Sequence, residues 1–71
     1  TQSHGRVDCI LETPQYVYIF EFKLDGSADE ALQQIEEKGY DKPYLTDKRK
    51  IVRIGVVFSS QTRTVSEWRE R

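Results

Sequence analysis

Apolar and polar positions alternate along the first third of the chain and then change to a helical spacing. From Arg6 to Glu12, RVDCILE sets Val7, Cys9 and Leu11 on one face and Asp8, Ile10 and Glu12 on the other, the period of two expected of a strand. Thr13-Pro14-Gln15 follows, and a proline, which cannot donate to a central ladder, marks a turn. Tyr16 to Leu24, YVYIFEFKL, then reads as one long strand rich in β-branched and aromatic residues. Two charges sit inside that strand. Glu21 and Lys23 share a face, with Phe22 pointing the other way, and burying such groups is costly unless they find partners.

The two strands should pair as an antiparallel hairpin, and its register decides what joins Glu21. A connection of two residues, Pro14 and Gln15, or of four, Thr13 to Tyr16, sets Asp8 directly opposite Glu21 on the same face. A three-residue connection would pair Asp8 with Phe20, but such loops favour a glycine that this turn lacks. The even register is therefore the expected one.

After Leu24, Asp25-Gly26 turns the chain. Ser27-Ala28-Asp29-Glu30 has the form of a capping box, and Ala28, Ala31, Leu32 and Ile35 recur at the spacing of one helix face until Gly39 supplies a stop. Tyr40 to Lys50 is a connector with room for a helical turn. Ile51 to Phe58, IVRIGVVF, is a second strongly apolar strand, and strand, helix, strand in this order implies a right-handed crossover to a parallel neighbour. Gly55 within it permits close approach of the helix or of a ligand. Thr62 to Arg69 alternates weakly, as an edge strand ending at Trp68 would. The fold class expected is α/β: a small mixed sheet in the order β-β-α-β-β with one crossover helix.

Tyr16, Tyr18, Phe20 and Phe22 line one strand face, and such a stripe is expected in the core rather than as a base-stacking platform. Cys9, beside Val7 and Leu11, is expected as a small buried hydrophobe. Trp68 is read as an edge anchor or part of a homodimer contact, and His4 as a solvated residue near the start.

Composition narrows the function classes. Seventy-one residues make at most one domain, taken as 1–71, and a chain this short buries only about 60% of its unfolded surface. Because it starts at Thr1 and enters a strand pattern almost at once, it is expected to be a fragment of a longer protein. The formal net charge of −1 lacks the strongly basic balance that would announce a nucleic-acid binder by itself. Lys48, Arg49, Lys50 and Arg53 do cluster, and the plain reading of that run is a solvated loop. A single cysteine forbids an internal disulfide and a cysteine-based zinc site, which suits a reducing, cytoplasmic setting. No apolar run approaches the roughly 18 residues of a membrane span.

Asp8, Glu21 and Lys23 thus converge at one end of the sheet. Two carboxylates in hydrogen-bonding range repel each other, and their oxygen donors suit a shared magnesium or manganese ion. The competing reading is a plain surface pair on the sheet rim with Asp8 as its neighbour.

Asp8, a hairpin, Glu21-Phe22-Lys23 and a capped helix carrying Gln34 together resemble the PD-(D/E)XK nuclease superfamily. More closely, GRVDCILETPQYVYIFEFKLDGSADEALQQIEEKGY resembles the nuclease-like domain at the C-terminus of bacterial proteins whose N-terminal part is an AAA-ATPase-like domain. The resemblance runs from about residue 5 to 58. It implies a truncated restriction-endonuclease-like core and metal-dependent phosphodiester hydrolysis in DNA, less readily in RNA. Asp8 and Glu21 would be metal ligands, with the Phe22 carbonyl as a third, and Lys23 the catalytic lysine. Gln34 would correspond to the helix glutamine of related nucleases, and Tyr40 is the candidate for their tyrosine. Two departures stand out: Gly5-Arg6-Val7 replaces the proline that names the motif, and Gln34 to Tyr40 exceeds the Gln-x-x-x-Tyr spacing. The alternative is a catalytically silent module kept for oligomerisation or nucleic-acid binding beside an ATPase-like domain.

Overall fold

A computed structural model describes residues 6–71, with side chains from Cys9 onward. His4 therefore lies outside the described residues, and so does the side chain of Asp8.

Four strands form one mixed sheet in the order β1-β2-β3-β4: β1 (Arg6–Glu12), β2 (Tyr16–Leu24), β3 (Lys50–Phe58) and β4 (Val65–Glu70). The β1/β2 and β3/β4 pairs are antiparallel and β2/β3 is parallel. A helix, α1 (Ala28–Lys38), connects β2 to β3 and is followed by a 3-10 turn at Lys42–Tyr44.

Thr13 and Tyr16 close the hairpin around Pro14 and Gln15. The Thr13 amide donates to the Tyr16 carbonyl at 2.8 Å, and the Thr13 hydroxyl accepts from the Tyr16 amide at 2.9 Å. The even register follows, with Asp8 opposite Glu21 and Ile10 opposite Ile19.

Helix α1 has the expected caps. The Ser27 hydroxyl accepts from the Glu30 amide at 3.1 Å while the Glu30 carboxylate accepts from the Ser27 amide at 2.9 Å. Gly39 ends the helix at φ 71°, a left-handed conformation that glycine adopts without a Cβ penalty. Strand β4 ties itself to the helix start, because Glu67 accepts from the Ala28 amide at 3.3 Å and Arg69 reaches Asp29 at 2.8 Å. That strand begins later than its alternation suggests, since Ser59 and Thr64 close the preceding turn and take Thr62 to Thr64 into it.

The core lies between α1 and one sheet face: Val17, Ile19 and Val57 from the strands meet Ala28, Ala31, Leu32 and Ile35. The register and the alternation of side chains put Tyr16, Tyr18, Phe20, Phe22 and Leu24 on the opposite face. The aromatic stripe is therefore not the core, contrary to the expectation from side-chain size. Among the described residues one helix covers one face only, and its small residues, Ala28 and Ala31 over Gly55, select the Val17/Ile19 side. The other face is half open, with Leu24 51% and Trp68 62% exposed and three stacked aromatic pairs running along it, Tyr16–Tyr18, Phe20–Phe22 and Phe22–Phe58. Cys9 belongs to this open face and is exposed, which corrects its expected burial for the same reason.

Candidate acidic site on the helix-covered face

The candidate site is built from β2, from the rung that joins it to β1, and from the far flank of α1. Glu21 is the residue of β2 whose side chain must be accounted for, because it is fully buried on the covered face. Two neighbours in the ladder define its place: Asp8 of β1 on one side and Gly55 of β3 on the other. Opposed positions share a face, so the backbone register brings Asp8 and Glu21 together as the sequence implies.

Its cationic partner is a residue that sequence reasoning passed over. Lys38 Nζ lies 3.5 Å from Glu21 Oε2 and 5.6 Å from the centroid of the Tyr40 ring. The side chain of Lys38 remains 29% exposed while that of Glu21 is 0% exposed, so a half-wet cation compensates a dry carboxylate. A signal was available: Lys38 is four residues after Gln34, hence on the same helix flank, one turn nearer the C-terminus.

Gln34 is half-buried on that flank, where its amide donates to Glu37 Oε1 at 3.4 Å. Lys23 is half-buried and follows Glu21 on the same face. Its stem runs along the Gly26 turn, for a Cβ placed on Gly26 would fall 2.5 Å from Lys23 Cε. Hydrogen bonds from the Ser60 amide and hydroxyl, with a smaller contribution from the Lys23 charge, hold the Asp25 carboxyl below its usual range. Phe22 is paired on both sides, with Val7 and Val56, which sets its carbonyl within the ladder. Beside the Asp8–Glu21 rung a hollow of about 270 Å³ is lined by Cys9, Ile10, Ile19, Phe20 and Tyr40.

The basic cluster is elsewhere, and its two arginines are occupied. Arg49 bridges Asp47 at 2.7 Å and Glu12 at 3.0 Å, and Arg53 binds Asp41 at 2.9 Å. Hydrogen bonds from the Arg49 side chain and amide hold the Asp47 carboxyl down to about 2, and Asp47 in turn raises the Arg49 pKa. A depressed carboxyl stabilises the fold above its unfolded pKa of 3.8, and that contribution is lost as pH falls from there towards about 2. In Asp47→Asn the acid limb of a urea-melt series should therefore be shallower than in the unsubstituted protein across that interval. Parallel limbs would contradict the assignment.

Among the described residues no three His, Cys, Asp or Glu side chains form a metal-holding group, and no helix is long and apolar enough to cross a membrane. The donor chemistry of the Asp8–Glu21 rung still fits a hard divalent cation. Both groups are oxygen donors, Glu21 is already held beside a positive charge, and magnesium accepts one or two carboxylates with water completing its shell.

Comparison with known proteins finds a family and a relative. The profile of the PD-(D/E)XK nuclease superfamily matches residues 1–68. An uncharacterized protein in the vnfD 5′ region of Azotobacter chroococcum mcd 1 is 42% identical over 65 residues, covering 89% of this chain and 13% of that protein. The chain thus spans about one eighth of the length of this relative. No solved structure matches.

Proposed function

We propose that this chain, which belongs to the PD-(D/E)XK nuclease superfamily, provides the acidic centre of a metal-dependent phosphodiester hydrolase acting on nucleic acid, DNA in preference to RNA. The observation that carries the proposal is the hairpin register, which sets Asp8 across from a fully buried Glu21 on the face that also carries Lys23. A solvated rim pair would leave Glu21 in water; it is the most deeply buried acid among the described residues.

In this reading Asp8 and Glu21 hold a magnesium or manganese ion, with the Phe22 carbonyl as a further oxygen. Such an ion, when bound, polarises a phosphoryl oxygen and lowers the pKa of a coordinated water. The chain's own residues supply the rest. Glu21, fixed by the core around it, keeps its carboxylate in one position without the side-chain ordering cost that an exposed glutamate would bear. Lys23, an ammonium with three donors on a stem lying along the Gly26 turn, holds a phosphate oxygen or orients the attacking water and offsets charge that develops in the transition state. Tyr40 and Ile10 offer an apolar wall for the sugar or base next to the cleaved phosphate.

The test is nicking of supercoiled plasmid DNA by the full-length protein with magnesium. Lys23→Ala should lower the rate by roughly 100-fold or more, the range of a positioned proton-transfer or charge-stabilising group, while leaving the folded state intact by circular dichroism. Unchanged nicking would remove Lys23 from the chemistry. Absence of nicking in the unsubstituted protein, together with absence of magnesium binding, would favour the silent module.

A further inference from the structure

Lys38 is assigned no part in the family pattern on which Asp8, Glu21 and Lys23 were identified, yet its ammonium lies within ion-pair distance of Glu21. We propose that Lys38 is a resident counter-ion of the acidic site, which a divalent cation must displace in order to bind. The inference rests on the reading of Asp8 and Glu21 as a metal site.

The geometry supports displacement over permanent pairing. At 3.5 Å the Nζ–Oε2 contact is well beyond the roughly 2.7–2.9 Å of a strong charge-assisted hydrogen bond. The two partners differ in burial: Glu21 is locked in the core, whereas Lys38 stands in the last helical turn, nearly one third exposed, on a flexible four-carbon stem. A cation entering the site would therefore leave Glu21 in place and release Lys38 towards water. The Tyr40 ring, 5.6 Å from Nζ, adds a cation–π attraction that does not depend on Glu21. Without Lys38 the buried carboxylate would lose this cation, and it would attract an external ion more strongly. Lys38 thereby sets the affinity threshold for the metal and offsets part of the buried charge of the metal-free site.

Magnesium titration of the full-length protein by calorimetry tests this. Lys38→Met should bind magnesium about tenfold more tightly than the unsubstituted protein, as removal of a competing unit charge at this distance requires, whereas Lys38→Arg should bind it with nearly unchanged affinity. Equal affinities in all three would overturn the counter-ion role while leaving the metal site standing. Absence of binding in all three would overturn both.

Since Lys38→Met leaves Glu21 without this cation and could unfold in the absence of metal, a second measurement uses the unsubstituted chain. With its lysines carrying ¹³C-methyl labels that preserve charge, the Lys38 resonance should shift during the magnesium titration with the midpoint of the binding isotherm. A Lys38 resonance that stays fixed while magnesium binds would show that the ammonium is not displaced and would overturn the proposal.

Discussion

Gly55→Val should destabilise the protein by about 3 kcal/mol, the upper end of the usual cost of overpacking, and lower the melting temperature by roughly 12–24 °C in a domain of this size. A Cβ at residue 55 would lie 2.6 Å from the Ala28 carbonyl oxygen, 2.9 Å from Ala31 Cβ and 3.2 Å from Leu32 Cγ. The first of these is backbone and cannot rotate away, so the first turn of α1 would have to lift from the sheet. Lifting it uncovers Val57 and loosens the cap between Ala28 and Glu67. The effect should also reach the site, because Gly55 is the ladder neighbour of Glu21. Thermal melts followed by circular dichroism check it; a loss below about 0.5 kcal/mol, the size of an ordinary surface change, would mean that the helix does not pack this closely.

Glu21→Gln should separate stability from function. The substitution keeps size and shape but removes a charge that is fully desolvated. Taking away one partner of a buried pair is damaging when the other is left buried and charged, but Lys38 can turn its ammonium outward to water. The metal-free variant should therefore melt within about 1 kcal/mol of the unsubstituted protein. Its magnesium affinity and its nicking rate should nevertheless fall by roughly 100-fold or more, since even loss of a group that only orients a metal ligand costs 10- to 100-fold. Urea melts and calorimetry on the same preparation check both halves. A variant that is strongly unstable yet still binds magnesium would mark Glu21 as a structural residue.

Much of this architecture was legible in the residues. The capping box at Ser27 and Glu30, the stop at Gly39 and the proline turn act locally, so they fixed α1 and the hairpin without tertiary information. The register followed from a turn too short and too poor in glycine to allow the odd pairing. What misled was size: in YVYIFEFKL the aromatic positions outweigh Val17 and Ile19, which made the stripe look like the core. Which face a lone helix covers is a tertiary decision, and here the small residues of the helix decide it. Gly55 held that information, for it shares a face with Glu21 and admits the helix there. Combining its expected role with the register would have placed the core correctly. Cys9 went astray with the same face.

The site was legible unevenly. Asp8 and Glu21 come together through backbone register alone, which alternation can reveal. Lys38 was missed because its approach to Glu21 depends on how α1 lies across the sheet, and no pattern internal to the helix states that. The basic cluster Lys48 to Arg53 looked like an exposed charged loop, whereas Arg49 and Arg53 are bound to Asp47 and Asp41. Asp47, two residues before Arg49, and the more distant Asp41 and Glu12 settle their role.

The central claim is that the Asp8–Glu21 rung is a divalent-cation site. Calorimetric titration of magnesium into the full-length protein and into Asp8→Asn, with folding monitored on the same samples, tests it most directly. Saturable binding by the unsubstituted protein that is lost in a still-folded Asp8→Asn is the predicted result; equal binding in both, or none in either, would contradict it.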